Sequence, residues 1–276
     1  TRALPGRFMP LPASILVCFG FDSTGRIHVV YPRAILIRAS GAVSSNKKHS
    51  CLRSLRERIL STELEPGTDL DEASLCDAYG ISRTPLREVL QRLSGDGYIV
   101  LEDNRGAKVA SMDVAVMRTF FQTAPLIYAN ISRLAAENWR TQQLDALKDT
   151  QRAFAAAAKN GSASEAALSN HRFHGLIGDM AQNAYLVASL NRLLIDHTRM
   201  SQTFYRPTSA AETSLVHQAI DQHDAMIAAF ESREASLSLD LALKHWDLSR
   251  DQLERFVRPD PLPVDVYSLE AKRHAV

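Results

Sequence analysis

The stretch from residue 82 to residue 93 carries the residue types that proteins use to read DNA. Written as a helix, it has an apolar face with the i, i+3, i+4 and i+7 spacing, formed by Leu86, Val89, Leu90 and Leu93. The opposite face is polar and consists of Arg83, Thr84, Arg87 and Gln91. Arginine pairs with guanine edges or phosphates, and a helix N-terminus favours anions. The pattern predicts a DNA-reading helix, with the solvated face of an ordinary amphipathic helix as the alternative.

A second group of residues has the chemistry of a metal site. Asn170 and His174 are four residues apart on a predicted helix, so both project from one face. His223 and His245 lie on two later predicted helices. Imidazoles from three antiparallel helices can meet inside a bundle, where together with an oxygen ligand they suit a divalent ion. The chain has nine histidines, however, and positions on the surface or hydrogen-bonded in the core remain the alternative.

Two helices and a glycine turn are predicted to position the DNA-reading stretch. Residues 52–59 have the pattern of a first amphipathic helix, which the pair Pro66-Gly67 closes. Asp71 is placed to cap a short second helix, and Gly80 supplies the left-handed turn that ends it. This order of helix, turn and helix is the helix-turn-helix pattern.

A hairpin is predicted directly after the DNA-reading helix. Residues 98–101 and 107–110 have strand character, and residues 103–106 form the turn between them. Arg105 lies at the tip of this turn, where it can reach a phosphate or a minor groove. Residues 47–110 are therefore predicted to form a winged helix-turn-helix domain.

The second half of the chain has helical periodicity without alternating strand patterns. Asp113 is expected to cap a helix that runs to about residue 139 and is kinked at Pro125, and Thr141 to cap the next one, which ends near Gly161. Further helical patterns cover residues 163–181, 184–204, 210–232 and 234–257. The predicted fold class is mainly α, with an N-terminal winged helix-turn-helix domain followed by an all-helical bundle of about six helices over residues 113–257. Residues 1–46 are expected to be a disordered extension, and residues 258–276 a tail.

The first of these domains resembles the GntR family of bacterial transcription regulators. The run Ser-Arg-Thr-Pro-Leu-Arg-Glu at residues 82–88, which follows the Pro66-Gly67 turn and Gly80, carries the resemblance. The resemblance implies DNA contacts by Ser82, Arg83, Thr84, Arg87, Arg105 and Gly106. It also implies a homodimer that reads a palindromic operator in double-stranded DNA.

The second domain is similar to the FadR-like, or FCD, branch of the same family. Residues 170–177 and 223–230, together with His245, carry this similarity. It implies a divalent metal ion, zinc or a nickel-like ion, bound by Asn170, His174, His223 and His245. Asn170 stands where many members of the branch have an aspartate, so the site has one negative charge less and weaker metal binding is expected.

The resemblance further implies that this domain binds a small-molecule effector, an organic acid. Relatives often hold the carboxylate of the effector with an arginine in the first bundle helix, and residues 123–128 contain no arginine. The carboxylate would then bind the metal itself or another arginine such as Arg199. His197 is a further candidate effector-binding residue, and His171 and His217 could lie on the surface or line the same cavity.

Composition is consistent with a soluble protein and decides little else. The chain is 45% hydrophobic and 23% charged, with a net charge of +1. Residues 51–110 contain 8 Lys and Arg against 11 Asp and Glu, so a generally basic surface does not carry the DNA-binding prediction. The three cysteines lack the spacing of a disulfide framework or a zinc knuckle, and no apolar run spans a bilayer. A cytoplasmic protein that does not contact membranes is expected.

Two other classes of protein remain open at this point. A metal-dependent enzyme could use the histidines for catalysis and the helix-turn-helix to reach DNA. Against it, the sequence shows no nucleophile motif, no phosphate-binding loop and no general base paired with an open metal site. An architectural DNA-binding protein without an effector is the other alternative. The sequence favours a regulator that is not an enzyme.

Overall fold

The structure is a computed structural model that describes residues 18–21, 27–30, 40–102 and 106–254. The chain divides into two units, Thr1–Ser45 and Asn46–Val276. In the first unit, strands β1 (Cys18–Phe21) and β2 (Ile27–Val30) pair antiparallel. The rest of the expected extension over residues 1–46, apart from the start of the first helix at Ser40, lies outside the described residues, as does the tail 258–276.

The winged domain contains three helices and three short strands. In chain order they are α1 (Ser40–Leu60), β3 (Asp69–Leu70), α2 (Glu72–Tyr79), α3 (Arg83–Asp96), β4 (Ile99–Glu102) and β5 (Gly106–Val109). The strands form an antiparallel sheet in the order β3-β5-β4. The predicted hairpin is therefore present, and the sequence analysis missed β3, which adds a third strand to the wing.

The turn between α2 and α3 forms as the sequence predicts. The side chain of Asp71 accepts a hydrogen bond of 2.7 Å from the backbone N–H of Ser74, which caps α2. Gly80 has a φ of 59°, in the left-handed region that a side chain disfavours, and it ends α2. The apolar face of α3 is buried at all four predicted positions, Leu86, Val89, Leu90 and Leu93. The buried face fixes α3, so that its polar face points away from the core.

Six helices form the second domain, as predicted. They are α4 (Val114–Asn138), α5 (Thr141–Lys159), α6 (Ala163–Ala181), α7 (Ala184–Phe204), α8 (Ala210–Glu231) and α9 (Ala235–Glu254). Asp113 caps α4 through the N–H of Val116, and α4 continues through Pro125 as a single helix. The predicted cap at Thr141 is wrong by one residue, because Arg140 is the N-cap and its N–H donates to the Gln143 side chain. Among the described residues, no helix is long and apolar enough to cross a membrane.

Helix α7 connects the two domains. Ile195 on α7 is buried in the same apolar cluster as Leu55 and Leu90 of the winged domain. Two side chains of α7 also bond the backbone of the winged domain: Arg199 Nη2 donates to the carbonyl of Ala110 at 2.6 Å, and Gln202 Nε2 to that of Leu60 at 3.1 Å. The winged domain is therefore packed on the bundle along this helix.

Candidate functional site

The predicted DNA-contacting side chains lie together at the N-terminal end of α3. Ser82, Arg83, Thr84 and Arg87 are all exposed. Ser82 is at the N-cap position, but its side chain makes no capping hydrogen bond. The first backbone N–H groups of a helix have no intrahelical acceptor, so this end of α3 suits a phosphate oxygen. Gly106 is exposed in the wing with a φ of 86°, and Arg105 lies outside the described residues.

The structure adds three charged residues around this face that the sequence analysis missed. Arg87 Nε donates to Glu72 Oε2 on α2 at 3.3 Å, which gives the guanidinium a fixed direction. Lys47 Nζ donates to the carbonyl of Gly80 at 3.3 Å, and Lys48 forms an ion pair with Glu88. Both lysines lie on α1, which begins at Ser40 and not near residue 52 as the sequence pattern predicts.

Three of the predicted metal ligands meet inside the bundle. His174 on α6, His223 on α8 and His245 on α9 each offer a ring nitrogen, and these nitrogens all lie within 4.8 Å of one another. The Nε2 atoms of His223 and His245 are 3.2 Å apart. Asn170 is buried one turn before His174 on α6. The helices thus bring together the residues that sequence spacing alone could not show to converge.

Two glutamines define which ring nitrogens carry protons. His223 Nδ1 lies 2.9 Å from Gln151 Oε1, and His245 Nδ1 lies 2.9 Å from Gln222 Oε1. Gln151 Nε2 donates to the carbonyl of Ile220 and to Asp224 Oδ1, both at 3.0 Å, so its oxygen must face the histidine. An amide oxygen only accepts, so Nδ1 of each ring is the donor. In the neutral rings both Nε2 atoms are then lone-pair acceptors that face each other.

A divalent ion fits this arrangement. Two lone pairs at 3.2 Å repel unless a cation lies between them. In a tetrahedral zinc site with Zn–N bonds of about 2.0–2.1 Å, two ligand nitrogens are about 3.3–3.4 Å apart. Two more buried polar atoms, Asn170 Oδ1 and His174 Nε2, have no hydrogen-bond partner in the described chain. Buried ring nitrogens and an amide oxygen that lack a donor are the chemistry of a metal site.

Burial keeps these imidazoles neutral, which is the form that binds metals. Burial, and then the neighbouring histidines, holds the pKa of His174 and of His223 well below the usual 6.5. Burial also lowers the pKa of His245 to about 4. For His197 the pKa falls to about 3, again through burial first and then through His245 and His171. Protons therefore compete weakly for these nitrogens near neutral pH.

A small cavity adjoins the histidines. Its lining combines aromatic, aliphatic and polar side chains, namely Tyr128, Ser132, His174, His197, Met226, Ala242, His245 and Trp246. The hydroxyl of Tyr128 and Nδ1 of His197 are 2.7 Å apart. A ligand in this cavity would lie next to two of the three clustered histidines.

Comparison with known families agrees with this domain order. Residues 50–109 match the family described as bacterial regulatory proteins, gntR family, and residues 126–248 match the FCD domain. The chain belongs to the GntR family.

Relatives of this GntR protein include named regulators. The gluconate operon transcriptional repressor of Bacillus licheniformis is 25% identical over 236 residues, which are 82% of this chain and 90% of that protein. The uncharacterized HTH-type transcriptional regulator YdhC of Bacillus subtilis (strain 168) is 24% identical over 133 residues, so the match covers 48% of this chain and only 59% of that protein. The solved structure of E. coli McbR/YncC superposes with a TM-score of 0.66 at 16% identity, over 77% of this chain and 99% of that one, which shows the same fold.

The remaining predicted residues of this GntR protein lie in different places. His197 lines the cavity. Arg199 instead bonds Ala110 and Asp196 at the junction of the two domains. His171 bonds Thr198 through Nδ1 at 2.8 Å and lines a different cavity, and His217 is exposed. Of the two predicted effector-binding residues, the structure brings His197 to the histidine cluster and Arg199 to the domain junction.

Proposed function

We propose that this GntR protein is a transcription regulator that reads operator DNA with the N-terminal end of α3. The observation that carries the proposal is the exposed polar face formed by Ser82, Arg83, Thr84 and Arg87, held in place by a fully buried apolar face. In a helix-turn-helix domain the N-terminal residues of this helix contact base edges in the major groove. The wing, in which β5 begins at Gly106, would add backbone contacts, and Arg105, the preceding residue in the sequence, is proposed to take part in them.

The helical domain is proposed to be the effector domain. Asn170, His174, His223 and His245 are the proposed ligands of one divalent ion, with zinc or a nickel-like ion favoured by imidazole nitrogen. When bound, such an ion would attract the carboxylate of an organic acid, for which the adjoining cavity of about 10 Å³ would have to widen. His197 and Tyr128, which bond each other through Nδ1 and the hydroxyl, would then orient that acid, because both side chains line the cavity.

Operator binding by α3 and effector binding in the helical domain are proposed to be linked through α7. This helix carries His197 into the cavity and Arg199 into the bond with Ala110, which directly follows β5. A shift of α7 on effector binding would therefore move the attachment of the winged domain. Linkage requires that the effector and the operator change each other's affinity by the same factor. A metal-dependent enzyme is not proposed, since the relatives named above are regulators.

The proposal is tested with DNA sites selected from a random library by the purified protein. We expect Arg87→Ala to weaken binding to the selected site by about 1–3 kcal/mol per half-site, because one base contact is lost while the core of α3 is untouched. Fluorescence anisotropy at fixed salt measures the affinity. Arg152→Ala on α5 is the matched control. Like Arg87, Arg152 is exposed and forms an ion pair, in its case with a carboxylate on its own helix. Unchanged affinity of Arg87→Ala would refute the assignment of α3.

A further inference from the structure

A second, larger cavity lies between the winged domain and the helical domain. Its volume is about 800 Å³, and we call it the interdomain cleft. One wall comes from α1, α3 and the residue before β4, through Arg56, Arg92 and Tyr98. The other wall comes from α6 and α7, through His171 and Arg192. None of the residues that line the cleft also lines the histidine cavity.

The ion pairs at the interdomain cleft contain more arginine side chains than carboxylates. Asp96 Oδ2 accepts from both Arg56 and Arg92, the latter at 3.2 Å. Asp196 accepts from Arg192 at 2.8 Å and from Arg199, which is buried and does not line the cleft, at 3.2 Å. Four guanidinium groups therefore share two carboxylates, and two positive charges remain without a counter-charge in these pairs.

A further observation points to an anion in the interdomain cleft. Arg56 Nε is buried and has no hydrogen-bond partner in the described chain, so one donor at the wall is unsatisfied.

Gly97 allows one arginine to reach from one domain to the other. A Cβ atom at Gly97 would come within 2.6 Å of Arg192 Cδ, and Gly97 also has a φ of 89°. The side chain of Arg192 therefore extends from α7 over the residue that ends α3. Because Arg92 is on α3 and Arg192 on α7, an anion bound by both guanidinium groups would contact both domains.

We propose that the interdomain cleft binds a phosphate-bearing small molecule that bridges α3 and α7. A phosphate group carries about −1.5 to −2 charge near pH 7, which matches the two uncompensated positive charges better than a single carboxylate does. Arginine forms bidentate bonds with phosphate oxygens, and 800 Å³ accommodates a phosphorylated metabolite. The cleft is at the C-terminal end of α3, about 15 Å along the helix from the residues that face DNA. The ligand and the operator would therefore bind at opposite ends of α3.

Isothermal titration calorimetry on the full chain, dialysed and without added metal, tests this proposal. The probes are inorganic phosphate and pyrophosphate, with acetate as a singly charged control at the same ionic strength. We expect saturable binding of pyrophosphate, of phosphate, or of both, and none of acetate. The double variant Arg92→Gln/Arg192→Gln should weaken that binding about ten- to a hundredfold, the range expected for the loss of charge-assisted hydrogen bonds. Arg152→Gln, with an exposed arginine on α5, should bind as the unsubstituted protein does.

A second variant is used if circular dichroism shows that the double variant is misfolded. Asn191 is exposed and lines the interdomain cleft, so Asn191→Asp adds a negative charge there without removing any of the four arginines. It should also weaken phosphate or pyrophosphate binding, by like-charge repulsion. Three results would overturn the proposal: no binding of either phosphate probe, acetate binding of equal strength, or phosphate binding that Asn191→Asp and the folded arginine variants leave unchanged.

Discussion

Asn170 is the residue that sets the charge of the proposed metal site. The three histidines are neutral when they bind a metal, and an asparagine oxygen is neutral as well. A divalent ion among these four ligands would keep its full charge of two, inside a bundle where His223 is completely buried. An anionic effector would reduce that charge, which gives a physical reason for an organic acid to bind beside the ion. At the proposed site, asparagine in place of aspartate would thus weaken metal binding in the absence of the effector and make it depend more on the effector.

We predict that Asn170→Asp lowers the stability of the metal-free protein and increases its affinity for zinc. Without metal, a buried carboxyl group replaces a neutral amide, and the melting temperature should fall. With zinc, the added negative charge should tighten binding by about tenfold, which corresponds to about 1.4 kcal/mol. Competition with a fluorescent chelator measures the zinc affinity. Asn130→Asp is the control, since Asn130 is exposed on α4. Equal zinc affinities in the two variants would remove Asn170 from the proposed ligands.

At the scale of secondary structure, the sequence predicts the elements whose signals are local. The cap at Asp71, the turn at Gly80 and the buried face of α3 are all found, because each depends on residues within a few positions of one another. Strand β3 has only two residues and forms by pairing with β5 far along the chain. Neither its length nor its composition distinguishes it from a loop, so no local pattern predicts it.

The sequence predicts only part of the candidate site, because some of its contacts are not local. Histidine spacing and the family resemblance predict His174, His223 and His245, and these three do meet. The glutamines that orient two of them were missed, because Gln151 and Gln222 look like ordinary polar residues of helix surfaces. Their role appears only when α5 packs against α8 and α8 against α9, which fixes the partners of their amide groups.

Helix α7 is predicted to contribute stability to both domains through Ile195. Its side chain is buried among residues of the winged domain, although the helix belongs to the bundle. Ile195→Ala should reduce the free energy of unfolding of the winged domain by about 2–4 kcal/mol through cavity formation. Urea denaturation followed by circular dichroism measures this loss. Ser189→Ala on the exposed side of α7 is the control, and an equally small effect of both changes would show that the domains do not share this core.

For the whole molecule, the buried histidines predict acid sensitivity in the metal-free protein. The pKa is lowered to about 4 for His171, about 3 for His197 and about 4 for His245, against 6.5 in the unfolded chain. The unfolded state therefore binds more protons below pH 6.5, and the free energy of unfolding should decrease as the pH falls from 6.5 toward 4. Each such histidine contributes a slope of about 1.4 kcal/mol per pH unit in that window.

Urea denaturation of the dialysed protein at pH 7, 6 and 5 measures this slope. His171→Asn is the informative variant, because it removes one titrating group and keeps a polar side chain next to Thr198. The slope between pH 6 and pH 5 should be smaller in this variant than in the unsubstituted protein. A free energy of unfolding that is constant over this range would show that these rings are protonated in the folded state.

The last prediction concerns the assembly that the DNA-reading face requires. One α3 helix contacts only a few base pairs, and a two-fold dimer places two such helices about 34 Å apart on one side of the duplex. The chain also leaves large apolar side chains exposed in the described residues, including Leu126 at 65% and Tyr185 at 88%, which an interface between copies could cover. We expect light scattering to give about twice the 30.6 kDa of one chain at micromolar concentration. The selected DNA site should then be palindromic, with one dimer bound per duplex. One chain of 30.6 kDa per duplex, after the mass of the DNA is subtracted, would contradict the dimer, and recognition by α3 would then have to work from a single half-site.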